Sequence, residues 1–324
     1  MSSPTILDLT SLLPGAYCTR LLAQTGWRVI KLEPPGGDIM RTLDPELFDA
    51  ANAGKETEQV DLKSATGRAR FDALVKNADA LVESFRPQAA AKLGLAPAAL
   101  WRVKDPLVVA SLRGYPDGPI ADRPGHDINY MAAAGAAAVA VDRDGRPVYW
   151  GVQVSNFAAG MACAFAIQAA LLTPGSPKRT HIEIDLMSVV QSWHLPRALA
   201  ARRARDADAF RAFVAPPGYG FYETSDHRLV SLGVREPKFQ RALATALALD
   251  GLASHAAAAA AVSRRPAAEI ERAFAAHDVP FAWVEDAAAM LDRPPAGVLA
   301  GLEQDGRWRL GLGGLERWVG REPA

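Results

Sequence analysis

Arg28-Val29-Ile30-Lys31-Leu32-Glu33-Pro34-Pro35-Gly36-Gly37-Asp38 decides the architecture. Its first five residues are a short apolar run of strand type. The paired prolines and paired glycines that follow break both the helical and the strand period, so the strand runs straight into a loop. The same succession recurs outward from it. Ile6-Leu7-Asp8-Leu9 reads as a strand, and Pro14 to Gly26 as a helix with Leu21, Leu22 and Thr25 at helical spacing and Gly26 as its stop. Gln59-Val60-Asp61-Leu62 reads as a strand and Ala65 to Asn77 as an amphipathic helix, and Ala80–Phe85 and Leu107–Leu112 are further strands. Asn156 to Leu172 is a long helix rich in small residues, and Thr180 to Leu186 alternates as a strand before another helix. Strands alternating with helices predict crossover units and an α/β fold with a mainly parallel sheet. Ligands of such sheets bind beyond the carboxyl ends of the strands. The site is therefore expected on the loops Glu33–Asp38, Ser84–Pro87 and Arg113–Asp127.

The rhythm changes near residue 200. Arg202 to Phe213 reads as a charged helical connector, with Arg202-Arg203-Ala204-Arg205 a solvated face. Phe221–Thr224 and Leu229–Gly233 predict a hairpin, followed by helices over Pro237–Asp250 and Pro266–His277. Residues 1–195 are expected to form a large α/β domain, 196–214 a helical linker and 215–290 a small α+β domain. Residues 291–324 are a C-terminal segment that can return to the large domain.

With 36 basic and 36 acidic residues the net charge is zero, which offers no electrostatic argument for nucleic acid or an anionic membrane. Cys18 and Cys163 sit in apolar helical contexts and read as buried small hydrophobes; no Cys/His spacing suits a metal. No secretory signal and no membrane span are expected, so the reading is a cytoplasmic protein.

Two residues carry the functional question. His126, in Arg123-Pro124-Gly125-His126-Asp127-Ile128-Asn129-Tyr130, can move protons near neutral pH. Asn156, in Val154-Ser155-Asn156-Phe157, can only form hydrogen bonds, because its amide does not titrate. Plainer readings stand beside these. His126 could be a buried histidine satisfied by Asp127 or a carbonyl, Asn156 a helix N-cap, Glu236 a first-turn carboxylate, and Asp127 local support.

The chain resembles the family III CoA-transferases and α-methylacyl-CoA racemases, a group that includes formyl-CoA transferase and carnitine dehydratase-like proteins. The matching stretches run in family order. They are Ile6–Leu9 with Pro14-Gly15, Val29–Asp38, Asn52-Ala53-Gly54-Lys55 with Val60–Lys63, Val82-Glu83-Ser84-Phe85-Arg86-Pro87, Asp122–Asp127, and Gly233–Phe239. Gly-His-Asp-Ile-Asn-Tyr is closer to the racemase branch. The resemblance implies a large Rossmann-like domain, a smaller α+β domain and an interlocked homodimer. It also implies an acyl-CoA substrate, with coenzyme A arriving as part of that substrate rather than as a resident cofactor.

In the racemase branch, by the same resemblance, His126 faces an aspartate at position 156 across the α-carbon, and Glu236 hydrogen-bonds the histidine. In the transferase branch that aspartate attacks the thioester. Asn156 can do neither. A missing general base costs ~10²–10⁴ in rate; a missing nucleophile costs on the order of 10⁶. Three readings stay open. One is a His126-dependent enzyme acting at the acyl α-carbon as a racemase, isomerase or dehydratase. Another is a catalytically impaired acyl-CoA-binding subunit paired with an aspartate-bearing homologue. The third is a CoA-transferase with a substitute carboxylate, for which Asp127 is the candidate.

The anionic phosphates of CoA call for cations at the strand ends. Arg86, Lys55, Arg41 and Arg113 are candidates by position. Phe85 shares the Arg86 loop, and Gly36 and Gly37 serve either the turn or a close approach of the cofactor. Glu56, where the family has an arginine, weakens the case for phosphate beside Lys55.

Overall fold

The computed structural model describes residues 3–142, 145–173, 175, 178–252 and 254–289. The predicted C-terminal segment 291–324 lies outside them. The chain divides into two compact units, one running through Leu195 and the other beginning at Pro196. The division falls inside the helix Leu186–Arg203, where Pro196 removes one helical hydrogen bond.

The first unit is built on a six-stranded sheet of β1 (Thr5–Leu9), β2 (Arg28–Glu33), β3 (Glu56–Gln59), β4 (Ala80–Glu83), β5 (Val108–Arg113) and β6 (Thr180–Asp185). All neighbours are parallel, in the order β3-β2-β1-β4-β5-β6. Both faces are covered, so successive strand residues feed opposite cores. Ile6, Val29, Val82, Val108 and Ala110 pack under the helices Leu13–Gln24 and Val154–Leu172. Leu7, Leu9, Ile30, Leu81 and Val109 pack under Ala65–Lys76 and Pro97–Val103.

The apolar edge strand predicted over Gln59–Leu62 lies three residues earlier. Glu56–Gln59 pairs with Ile30–Glu33, while Val60 and Leu62 leave the sheet and line a cavity. The exposed outer edge needs no apolar alternation, which is why β3 left little trace in the sequence.

The long helix read from Asn156 begins two residues earlier, as Val154–Leu172. Its 19 residues carry no charge, and among the described residues it is the one helix long and apolar enough to cross a membrane. Its buried side holds Ala159, Cys163, Ile167 and Ala170 in the first core, against the helix Leu13–Gln24. The contact is close because Gly160 has no side chain. A Cβ there would stand 2.6 Å from the Pro14 carbonyl oxygen.

The second unit contains a three-stranded antiparallel sheet, β7 (Tyr219–Glu223), β8 (Leu229–Gly233) and β9 (Phe281–Trp283). Tyr222, Val230, Leu232, Leu243, Ile270 and Phe274 form its core. The third strand and the helix Asp127–Ala133 of the first unit are elements that the sequence reading did not delimit.

Candidate active site

The strand order reverses between β1 and β4, and a parallel sheet binds its ligand at such a switch point. Two cavities of the first unit meet there, with Ser11, just past β1, lining both.

The larger, about 690 Å³, is walled by Leu9, Leu32, Val60, Leu62, Phe85 and Leu93, with Lys63 and Lys92 as its basic residues. Beneath it lies a buried charged cluster. The Asp8 carboxylate accepts from the Thr10 amide (2.9 Å), the Thr10 hydroxyl (2.6 Å) and the Thr19 hydroxyl (2.5 Å), and pairs with Lys55 Nζ at 3.3 Å. Lys31 pairs with Asp38 at 2.9 Å and donates to the Thr10 carbonyl at 3.0 Å. Burial raises the Asp8 carboxyl; the Lys31 and Lys55 ammonium groups and the two threonine hydroxyls outweigh it, and the group falls to about 2. Burial brings the Lys55 ammonium down to about 8 against the attraction of Asp8.

These contacts reassign several residues. Lys55, expected at a phosphate, has a fully buried side chain, and its ammonium bonds Asp8, the Ala16 carbonyl and Asn52 Oδ1. Arg41 forks onto Glu33 with two 2.8 Å bonds and lies over the Phe48 ring at 4.1 Å. Gly36 and Gly37 adopt φ of +96° and +86°, a left-handed turn that favours glycine. Phe85 lines the larger cavity. Arg86 is exposed at the N-cap of the helix Pro87–Lys92; its carbonyl accepts from the Ala90 N–H at 2.9 Å, and its side chain makes no hydrogen bond or salt bridge among the described residues.

The smaller cavity, about 340 Å³, brings His126 and Asn156 together with Ser11, Ser84, Arg113, Tyr130 and Gln153. Both residues also line an adjoining space of about 310 Å³ with Asp127, Ile128 and Tyr149. His126 is the N-cap of the helix Asp127–Ala133 and is exposed, which excludes the buried-histidine reading. Its N–H donates to Asn129 Oδ1 at 3.0 Å and its carbonyl accepts from the Asn129 N–H at 2.8 Å. Asn156 is not a cap: Gln153 holds that position, and Asn156 sits in the first turn, donating to Gln153 Oε1 at 2.5 Å. Asp127 is buried, and its Oδ1 accepts from the Ser155 N–H (2.7 Å) and hydroxyl (2.6 Å). Tyr130 donates to the Gly125 carbonyl at 2.5 Å, and burial raises its phenol to about 12, so it stays protonated. Arg113 is matched by Asp117 at 3.1 Å and Glu183 at 2.8 Å.

Glu236 belongs to the second unit, where it is the exposed N-cap of the helix Pro237–Ala246 without a side-chain capping bond. Ser155 and Gln153 were missed in the sequence. The only available signal was their position at the start of a long apolar helix.

The model of the family described as CoA-transferase family III matches residues 1–302. The chain belongs to that family. A formyl-CoA:oxalate CoA-transferase of Afipia carboxidovorans is 33% identical to this family III chain over 184 residues, 54% of the chain and 42% of the relative. A succinate–glutarate CoA-transferase of Agrobacterium fabrum is 32% identical over 205 residues, 58% of the chain and 51% of the relative. The chain thus spans about half the length of the curated relatives it matches. A crystal structure of a CaiB/BaiF family protein from Brucella suis is similar in fold, with a TM-score of 0.78 and 22% identity over 95% of this chain and 90% of that one.

Proposed function

We propose that this family III chain binds an acyl-CoA thioester and that His126 moves the proton on its α-carbon. The observation that carries the reading is that His126 and Asn156 line one cavity at the sheet's switch point, beside a second cavity large enough for the nucleotide end of CoA. Neutral His126 takes the α-proton, the thioester becomes an enolate, and the imidazolium returns the proton. Asn156 retains a second amide N–H beyond the one given to Gln153, and that donor suits the enolate oxygen. Returned to the other face of a turned enolate the proton gives racemisation, returned to the γ-carbon it gives isomerisation, and passed to a departing β-hydroxyl it leaves as water in a dehydration, each through one acid/base group, with Asn156 in the place of the catalytic aspartate. Coenzyme A enters as part of the substrate, with no resident cofactor.

The relatives bear the names of CoA-transferases, and transfer through an acyl-carboxylate intermediate would need a carboxylate at the thioester. Asp127 is the nearest in sequence, but Ser155 occupies one of its oxygens and burial its surroundings, which favours a supporting role. A partner is the second part of the proposal. Met161, Phe165 and Leu172 on one helix and Trp193 and Leu195 on the next are exposed apolar side chains of the first unit, suited to a homodimer or to an aspartate-bearing homologue. We place the protein in the cytoplasm.

The test is α-proton exchange. The protein is incubated with 2-methylacyl-CoA in D₂O and deuterium uptake is followed by mass spectrometry, with His126→Ala and Asn156→Asp in parallel. Uptake that is lost in His126→Ala supports a one-base enzyme. Uptake only in Asn156→Asp moves the conclusion to an impaired binding subunit, and retention in His126→Ala sinks the assignment of His126.

A further inference from the structure

Next to Asp127 the space beside His126 borders another hollow, of about 190 Å³. The two share Asp127, Ile128 and Tyr149, so the hollow adjoins the space that His126 and Asn156 line. Met131 and Ala132, on the helix Asp127–Ala133, line one side of it. The stretch 147–152 lines the other and presents Trp150, with the Val148 N–H bonded to the Ala140 carbonyl at 2.8 Å. Among the described residues of the lining Asp127 is the one that is charged, and its Oδ1 is held by Ser155.

We propose that this hollow receives the apolar end of the acyl group and makes the protein selective for aliphatic over carboxylate-ended acyl-CoA. The proposal rests on the reading that an acyl thioester occupies the His126–Asn156 cavity. The size fits: an apolar cavity of ~150 Å³ takes up benzene, so a hollow of this volume accommodates roughly six carbon atoms. The chemistry excludes the alternative. A terminal carboxylate would lose its hydration among apolar walls, meet no cation among the described lining residues and approach the Asp127 carboxylate.

The experiment measures dissociation constants of the full chain for CoA, acetyl-CoA, hexanoyl-CoA and glutaryl-CoA by calorimetric titration. Each methylene buried strengthens binding about fourfold. Hexanoyl-CoA should therefore bind on the order of a hundredfold more tightly than acetyl-CoA, and glutaryl-CoA no more tightly than acetyl-CoA. Ala132→Phe, a change at an exposed helix position, should fill the hollow and erase the hexanoyl advantage while leaving CoA and acetyl-CoA unchanged. Trp150→Ala, which opens the wall instead, should reduce the advantage about tenfold. Equal affinity for acetyl- and hexanoyl-CoA, or a hexanoyl advantage that survives both substitutions, overturns the hollow's role while leaving acyl-CoA binding intact. Failure of all four ligands to bind overturns the underlying acyl-CoA reading as well.

Discussion

Asp127 and Ser155 are bonded twice through one oxygen: Asp127 Oδ1 accepts from the Ser155 N–H at 2.7 Å and from its hydroxyl at 2.6 Å. Asp127 follows His126 in the chain and Ser155 precedes Asn156. The pair therefore fixes how far apart the two helix starts stand that present His126 and Asn156 to one cavity. Ser155→Ala deletes the hydroxyl half of this joint and is expected to lower stability by about 1.5–3 kcal/mol, the range for a hydrogen bond to a charged group. Thermal unfolding reads that loss. Exchange kinetics should fall along with it while acyl-CoA affinity changes little, because the larger cavity is not touched.

Asn156→Asp places a carboxylate in the cavity that His126 also lines. If His126 works alone in the native protein, the substitution should raise α-proton exchange by ~10²–10⁴. Tritium or deuterium wash-in at a fixed substrate concentration measures it. An unchanged rate would mean that position 156 does not reach the α-carbon.

Lys63 and Lys92 are the basic residues of the larger cavity, and both are exposed. A lysine bonded to a CoA phosphate contributes about tenfold in affinity. Lys63→Ala and Lys92→Ala should each weaken CoA by about that factor, and the parent's affinity should drop with added salt. Dephospho-CoA titrations locate which phosphate each one serves.

Asp8 supplies a pH dependence. Its carboxyl lies at about 2 in the fold, below the ordinary 3.8. A lowered acid contributes stability above its unfolded value and loses it as pH falls through the folded value. The fold should lose about 2 kcal/mol from this group between pH 4 and pH 2. Urea unfolding across that interval should show a shallower slope in Asp8→Asn, which will also be less stable at pH 7.

Gly160→Ala tests the helix crossing. The added methyl would stand 2.6 Å from the Pro14 carbonyl oxygen, and backbone cannot move aside as a side chain can. A loss of about 1–3 kcal/mol is expected, read as a lower midpoint in thermal unfolding.

The sheet was legible because its central strands are apolar on both faces: Ile6–Leu9, Val29–Leu32 and Val108–Leu112 announce themselves by composition alone. The edge strand Glu56–Gln59 is polar and exposed, so the neighbouring Val60 and Leu62 drew the reading three residues too far. His126 and Asn156 were found as residue types of opposite chemical capacity; that they share a cavity depends on the Asp127–Ser155 joint, which no local pattern encodes. Lys55 misled for a related reason. Its position among the cations near the strand ends suggested phosphate, whereas its partner Asp8 lies 47 residues away on the central strand.

Every described residue of the His126–Asn156 pair and its supports at 127, 153 and 155 comes from the excursion between β5 and β6, whereas the larger cavity is lined entirely by residues 9–93. On the proposed function, recognition and reactivity thus rest on separate lengths of the gene. A change at position 156 leaves the sheet and the larger cavity untouched, so on the proposed function a lineage could exchange one reaction for another, or give up reaction altogether, while still holding the same class of ligand.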